Sequence, residues 1–202
     1  MAKASLDSGV KRFVQISTDE VYGSIPKGSF VETDPLNPSS PYSASKASAD
    51  LLMLGFRTTY GFPVVITRSS NNYGPRQHPE KLIPKFITFL ARDKDLPIYG
   101  SGTQIRDWIY VEDNCRGILA AAENGKSGEI YNISTGEEYQ NLEIGKRLRD
   151  MFAGTKAKIK HVDDRLGHDY RYSISARKLR KLGWKPSVKF EQGLRKTLDW
   201  YM

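Results

Sequence analysis

The chain has 202 residues, with 31 Lys+Arg against 23 Asp+Glu and a formal charge of +8. At 39% hydrophobic and 11% aromatic it can bury a core, which excludes wholesale disorder. No run approaches eighteen apolar residues, and the start (MAKASLDSGVKR) lacks the apolar centre of a signal peptide. A cytoplasmic protein with no membrane partner is the expectation. One cysteine, Cys115, excludes an internal disulfide framework and any multi-cysteine metal site.

In chain order, KRFVQIST (11–18) is a short, mostly apolar run, which predicts a strand buried in a parallel sheet. Residues 24–41 hold four prolines and read as a loop. After Pro41, YSASKASADLLMLGFRTTYG carries Ala44, Ala47, Leu51, Leu54 and Phe56 near helical spacing, and Gly61 stops the helix. PVVITRSS (63–70) is a second buried strand, so strand, loop, helix and strand make a βαβ crossover with parallel pairing. A turn-rich stretch leads into a helix at 83–92. Two short strands follow within LPIYGSGTQIRDWIYVED (96–113), then a helix at 113–123, a strand at 129–135, a helix at 142–152 and a strand at KIKHV. Helices at 176–183 and 190–201 close the chain. The spacing of Cys115 with Ile118, Leu119 and Ala122 places the cysteine in the core rather than in chemistry. The three histidines show no metal-ligand spacing, so no metal is expected.

No glycine-rich turn of the dinucleotide-binding kind follows a strand in this sequence. The expectation is therefore the later part of a larger doubly wound fold. Residues 1–70, with parts of 107–135, make what remains of a dinucleotide-binding half. Residues 71–106 and 136–202 mainly make a smaller α/β substrate lobe.

Three clusters can carry chemistry. Tyr42 and Lys46 are four apart, so on a helix they share a face. A nearby cation favours the phenolate and draws the phenol toward use as a base; the bland alternative is an aromatic and a snorkelling lysine. Ser17-Thr18-Asp19-Glu20 ends the first strand, where ligands bind in open α/β sheets. A hydroxyl with two carboxylates supplies acid, base and orienting group, or else is a polar turn. The third is a spread of cationic and amide groups, namely Asn71, Arg76, Lys81, Arg106, Asn141, Arg165 and His168, suited to phosphate. Arg177, Lys178, Arg180 and Lys181 read as a solvated surface. The aromatics lie in apolar-periodic segments, so no nucleic-acid partner is expected.

Taken together, STDEVYG (17–23), YSASK (42–46), RSSNNYGPRQHPEKLIP (68–84), PIYGSGTQIRDWIYVED (97–113) and DRLGHDYRY (164–172) resemble the dTDP-glucose 4,6-dehydratases, extended members of the short-chain dehydrogenase/reductase superfamily. The resemblance runs from about Val10 to the C-terminus. YxxxK and NNYGP are shared with nucleotide-sugar epimerases and decarboxylases; the Thr18-Asp19-Glu20 triplet is the discriminating piece.

The resemblance implies a partial Rossmann-like parallel sheet with a sugar-nucleotide lobe, an NAD cofactor and a dTDP-hexose substrate. It implies Thr18, Asp19, Glu20, Tyr42 and Lys46 as catalytic groups, and Ser17, Tyr42, Lys46 and Ser70 on the cofactor. On the substrate it implies Thr18, Asn71, Lys81, Leu82, Pro97, Tyr99, Arg106, Asn141, Asp164, Arg165 and His168. Lys46 is expected to lower the pKa of Tyr42. A homodimer through the helix at 43–59 is also implied. With no counterpart to the family's glycine-rich phosphate loop, the chain alone is expected to bind NAD weakly and turn over little. The alternatives are a UDP-sugar epimerase or decarboxylase of the same superfamily, or a non-catalytic sugar-nucleotide-binding module.

Overall fold

A computed structural model describes residues 1–152, 154–164, 167 and 169–202. In order, the elements are α1 (Ala2–Asp7), β1 (Phe13–Thr18), a one-turn 3-10 helix (Asp19–Tyr22), α2 (Pro41–Tyr60), β2 (Val64–Ser69), β3 (Asn71–Tyr73) and α3 (Leu82–Leu90). They continue as β4 (Leu96–Tyr99), β5 (Ile105–Tyr110), α4 (Val111–Asn124), β6 (Ile130–Ile133), β7 (Glu138–Gln140) and α5 (Asn141–Met151). The last are β8 (Ile159–Val162), β9 (Arg171–Tyr172), α6 (Arg177–Arg180) and α7 (Phe190–Tyr201).

The apolar runs form a three-stranded parallel sheet in the order β1-β2-β6. All of β2 is buried, and its alternating side chains feed two cores. Val64 and Ile66 pack with Ala2, Met53 and Phe62 on the side of α1 and α2. Val65 packs with Ile109, Ala121, Tyr131 and Ile133 on the side of α4 and α6. Helices on both faces of a parallel sheet are the doubly wound arrangement the sequence predicts. Among the described residues β1 pairs only with β2, and Ile16 on it is 45% exposed.

The second layer centres on β5. Its first half pairs antiparallel with β7 and parallel with β9, and its second half pairs parallel with β3. β4 pairs with β8. Helices α3, α5 and α7 close over the largest apolar cluster, which joins Tyr73, Phe86, Ile98, Trp108, Ile144 and Phe190. The proline-rich loop is stitched down: Phe30 bridges Ile174, and Arg171 donates two 2.7 Å bonds to Glu138 and further bonds to Ile25 O and Gly28 O. The loop therefore straps the C-terminal segment to the sheet.

α2 starts where its residues dictate. Ser40 caps it by a reciprocal bond with Ser43, Pro41 occupies the first turn, and Gly61 ends it at φ 67°. Its inward face is Ser43, Ala47, Asp50 and Met53, so Ala44 and Leu51, expected on the apolar face, stand in solvent. Cys115 also departs from expectation. It is exposed, because α4 turns Asn114, Gly117 and Ala121 inward instead. A Cβ at Gly117 would meet Ile133 at 2.8 Å, so close approach to the sheet selects the small face of α4, not the larger one. The helix expected over 176–183 is shortened to the single turn α6.

Gly23 ends the 3-10 turn at φ 80°, and a Cβ there would lie 2.4 Å from Asn37 O. Gly23→Ala adds backbone strain and a clash with main chain, so a loss on the order of 2–4 kcal/mol is expected. Urea unfolding of both proteins measures it, and an unchanged midpoint would contradict this placement.

Candidate active site

The carboxyl end of β1 is a crevice because the chain turns there into a 3-10 helix instead of continuing the strand. Thr18 caps that turn: its hydroxyl accepts from Glu20 N (3.3 Å) and donates to Asp19 Oδ1 (3.2 Å). Thr18 lies opposite Ser69 in the sheet register, and Asn71 lies opposite Trp108. The ends of β1 and β2 therefore line up as Thr18-Asp19 and Ser69-Ser70, and Ser70 reaches Asp107 in the middle of β5. Tyr42 stands in the first turn of α2, and Lys46 follows one turn on.

Asp19 is 3% exposed, and burial, Glu20 and then Asp107 push its carboxyl up to about 8. Its Oδ2 is buried without a hydrogen-bond partner among the described residues. Glu20 is also raised by burial, but the cations Arg106 and Lys81 oppose the rise. The pair thus sets a carboxyl that keeps its proton to about pH 8 beside one raised less freely, because two cations favour its charged form. Asp107 accepts from Ser70 Oγ, Thr135 N, Thr135 Oγ1 and Gly136 N, and burial pushes it up to about 6 against those bonds.

Tyr42 differs from expectation. Burial, Glu20 and Asp19 raise its phenol above the usual value. The Lys46 ammonium, one turn on, donates to Ile16 O at 2.6 Å.

Glu20 opens onto a cleft of about 300 Å³. Asn71, Lys81, Leu82, Pro97, Tyr99, Arg106 and Asn141 line it, so seven of the expected substrate-contacting residues are gathered in one place from five elements and the turns before them. The N-terminus of α3 begins at Leu82 with Lys81 before it, leaving main-chain N–H groups and a cation together, a setting for phosphate. Arg106 stacks on the Tyr172 ring at 4.2 Å and donates to the carbonyls of Asp169 (2.8 Å) and Tyr170 (3.2 Å). Its charge is thereby fixed at the cleft wall.

Other expected residues sit elsewhere. Ser17 donates to Asp50 and Ser70 to Asp107, both at 2.9 Å, so both hydroxyls are hydrogen-bonded inside the fold. Asp164 accepts from Gln104 Nε2 at 3.0 Å beside the turn after β4. Arg76 stacks on Trp200, away from the cleft. Arg165 and His168 lie outside the described residues. Among the described residues no group of three or more His, Cys, Asp and Glu is placed to hold a metal, and no helix is long and apolar enough to cross a membrane.

The sequence reading missed Asp169 and Tyr172 on the cleft wall, where Tyr172 Oη donates to Asp169 Oδ2 at 2.6 Å. Their signal was adjacency to the His168 motif. It also missed Lys85, one turn after Lys81 on α3, whose ammonium lies 5.7 Å from the Tyr99 ring.

Residues 1–197 match the family described as GDP-mannose 4,6 dehydratase. The low-salt glycan biosynthesis protein Agl12 of Haloferax volcanii is 52% identical over 98% of this chain and 64% of its own length. A dTDP-glucose 4,6-dehydratase of an Actinoplanes species is 49% identical over 98% of this chain and 62% of its own. The crystal structure of DesIV, a dTDP-glucose 4,6-dehydratase from Streptomyces venezuelae with NAD and TYD bound, superposes with a TM-score of 0.96. It shares 48% identity, covering 99% of this chain and 62% of that one. The chain thus spans about three fifths of the length of these relatives.

Proposed function

The chain belongs to the GDP-mannose 4,6 dehydratase family, and from that premise we propose that it carries the catalytic and sugar-nucleotide-binding groups of an NAD-dependent dTDP-glucose 4,6-dehydratase. The observation that carries the reading is the buried Asp19, its carboxyl pushed up to about 8, directly beside Glu20, which opens on the cleft with Arg106 and Lys81. Eliminating water across two neighbouring carbons needs one proton donor and one proton acceptor side by side.

The residues fit the nicotinamide-ribose end of NAD. Tyr42 is 54% exposed beside exposed Ile16, and Lys46 has three donors, of which the carbonyl of Ile16 takes one. Lys46 would hold the ribose hydroxyls there, with Tyr42 next to it. When bound, NAD supplies the acceptor for the two electrons leaving C4 and returns them at C6.

The chain's own groups do the rest. Tyr42, deprotonated once Lys46 and the cofactor's positive nicotinamide stand beside it, would take the proton of the sugar 4-hydroxyl through Oη, and Thr18 Oγ1 would orient that oxygen. Once C4 is a ketone, the proton on C5 is acidic; the Glu20 carboxylate would remove it and give a proton back to C5 when hydride returns to C6. Asp19 passes its proton to the 6-hydroxyl, which leaves as water. Lys81, the α3 N-terminus and Arg106 hold the diphosphate, and Pro97, Tyr99 and Asn141 face the nucleoside. The dinucleotide half takes 1–70 with parts of 107–135, and the substrate lobe mainly takes 71–106 and 136–202. Exposed Leu51 and Leu52 on α2 support a homodimer through the helix at 43–59, and the single free cysteine suits a cytoplasmic setting.

Incubation with NAD and either dTDP-glucose or UDP-glucose tests the reading. A 4-keto-6-deoxy product from dTDP-glucose, one water lighter by mass, is expected. Conversion of UDP-sugars alone, by epimerisation or decarboxylation, would overturn it in favour of the sister enzymes. Tight binding of dTDP-glucose with no product would instead favour a non-catalytic module.

A further inference from the structure

Tyr42, Lys46 and Asp50 follow one another at four-residue steps, so α2 presents all three on one face. Asp50 is fully buried, and its Oδ2 takes two hydrogen bonds, each 2.9 Å. One comes from Ser17 Oγ, next to Thr18 on β1, and the other from Arg68 Nε on β2. Arg68 is 2% exposed. Its guanidinium lies 4.7 Å over the ring of Tyr22, the last residue of the turn that carries Asp19 and Glu20. Tyr22 Oη in turn donates to Asn132 Oδ1 at 2.9 Å on β6.

We propose that the buried Asp50–Arg68 pair is a positioning device that fixes the Tyr42–Lys46 face of α2 against the Thr18–Glu20 turn. It rests on the reading above only for the consequence in turnover. A buried ion pair is a weak source of stability, since apolar residues of similar volume commonly serve as well, so its retention here calls for a geometric reason. The contacts supply one. Asp50 reaches the strand before the turn, Arg68 reaches the ring after it, and the bond between them ties α2 to both sides. Elsewhere α2 is held at its start by the Lys46–Ile16 O bond and by Ala47 against Val21 and Tyr22, and at its end by Met53 against Val64 and Ile66; the pair lies between these two anchors. Neither Asp50 nor Arg68 is among the described residues that line the cleft, so they act through Tyr42 and Glu20.

The test uses the chain labelled with 3-fluorotyrosine, with Tyr42→Phe and Tyr22→Phe assigning two of its fluorine signals. Asp50→Asn keeps the shape and removes the charge. Asp50→Leu with Arg68→Met replaces the pair by apolar groups that can keep the protein folded. Both are expected to move the Tyr42 and Tyr22 signals while the other tyrosines stay in place. Leu148→Val, a comparable loss in the remote core, is expected to move neither. Where the chain turns over dTDP-glucose, kcat falls about tenfold or more with KM within about twofold, as misplacement of reacting groups predicts. A folded Asp50→Leu/Arg68→Met protein with both signals at their wild-type positions would overturn the proposal. A wild-type chain that leaves dTDP-glucose unchanged even when joined to a glycine-rich dinucleotide-binding half overturns the functional reading alone, because the fluorine spectra judge the positioning without turnover.

Discussion

Glu20→Gln is expected to lower dTDP-glucose turnover by about 10²- to 10⁴-fold, the usual contribution of a positioned base. Glutamine keeps the size of the side chain and the main-chain bond from Glu20 N to Thr18 Oγ1, so the 3-10 turn is preserved. What disappears is the one cleft-lining carboxylate next to Asp19. The specific readout is exchange at C5. In heavy water the wild-type product carries deuterium at that carbon, and Glu20→Gln leaves the recovered sugar unlabelled there. A variant that still labels C5 at the wild-type rate removes Glu20 from the role. The pH dependence follows from the same surroundings. Burial raises the Glu20 carboxyl above its ordinary range, while Arg106 and Lys81 restrain the rise, so activity falls on the acid side as Glu20 takes up its proton. Removing Arg106 releases part of that restraint, and Arg106→Ala is expected to shift the acid limb upward in pH as well as weaken substrate binding.

Much of this site was legible because its signals are local. The cap at Ser40, Pro41 in the first turn and Gly61 at the end announce α2, and the four-residue spacing of Tyr42 and Lys46 follows from it. The triplet after β1 is readable because strand ends in a parallel sheet are where side chains meet ligands. Other features were hidden because they depend on contacts distant in sequence. Strands β3, β7 and β9 are two or three residues long and exist only through pairing with β5. Asp50 and Asp107 look like surface carboxylates in the sequence, yet both are fully buried because Arg68 and a ring of hydroxyl and main-chain donors surround them. Cys115 and Leu119 have the larger side chains on α4, but the sheet approaches so closely that only Gly117 and Ala121 fit beneath. The spacing of Tyr42 and Lys46 was readable, but the burial and the carboxylates Glu20 and Asp19 that raise the phenol, and the Ile16 carbonyl that receives the ammonium, are invisible in a one-dimensional pattern.

Asp19→Asn is expected to stabilise the protein while disabling it. Burial and the neighbouring carboxylates Glu20 and Asp107 push the folded carboxyl up to about 8 from an ordinary value of 3.8. Between those values the folded state keeps a proton that the unfolded chain releases, so stability declines as pH rises from about 4 to about 8. Above that range the folded carboxyl ionises too, and the penalty stops growing. Asparagine cannot ionise, and its side-chain oxygen still accepts from Thr18 Oγ1. The gain of the variant over wild type is therefore nil near pH 4 and nearly full near pH 8, on the order of 6 kcal/mol. Thermal unfolding of both proteins across that range measures it, and parallel curves at a constant offset would refute the buried, protonated carboxyl. Turnover runs the other way. Asparagine has no proton to give to the leaving hydroxyl, so kcat is expected to fall about 10²- to 10⁴-fold, with KM little changed because Asp19 is buried behind Thr18. The wild-type rate should also fall above about pH 8 as Asp19 ionises. One carboxyl thus costs the fold stability at neutral pH for the same reason that it can serve as an acid: the crevice at the end of β1 holds its proton far above the ordinary range.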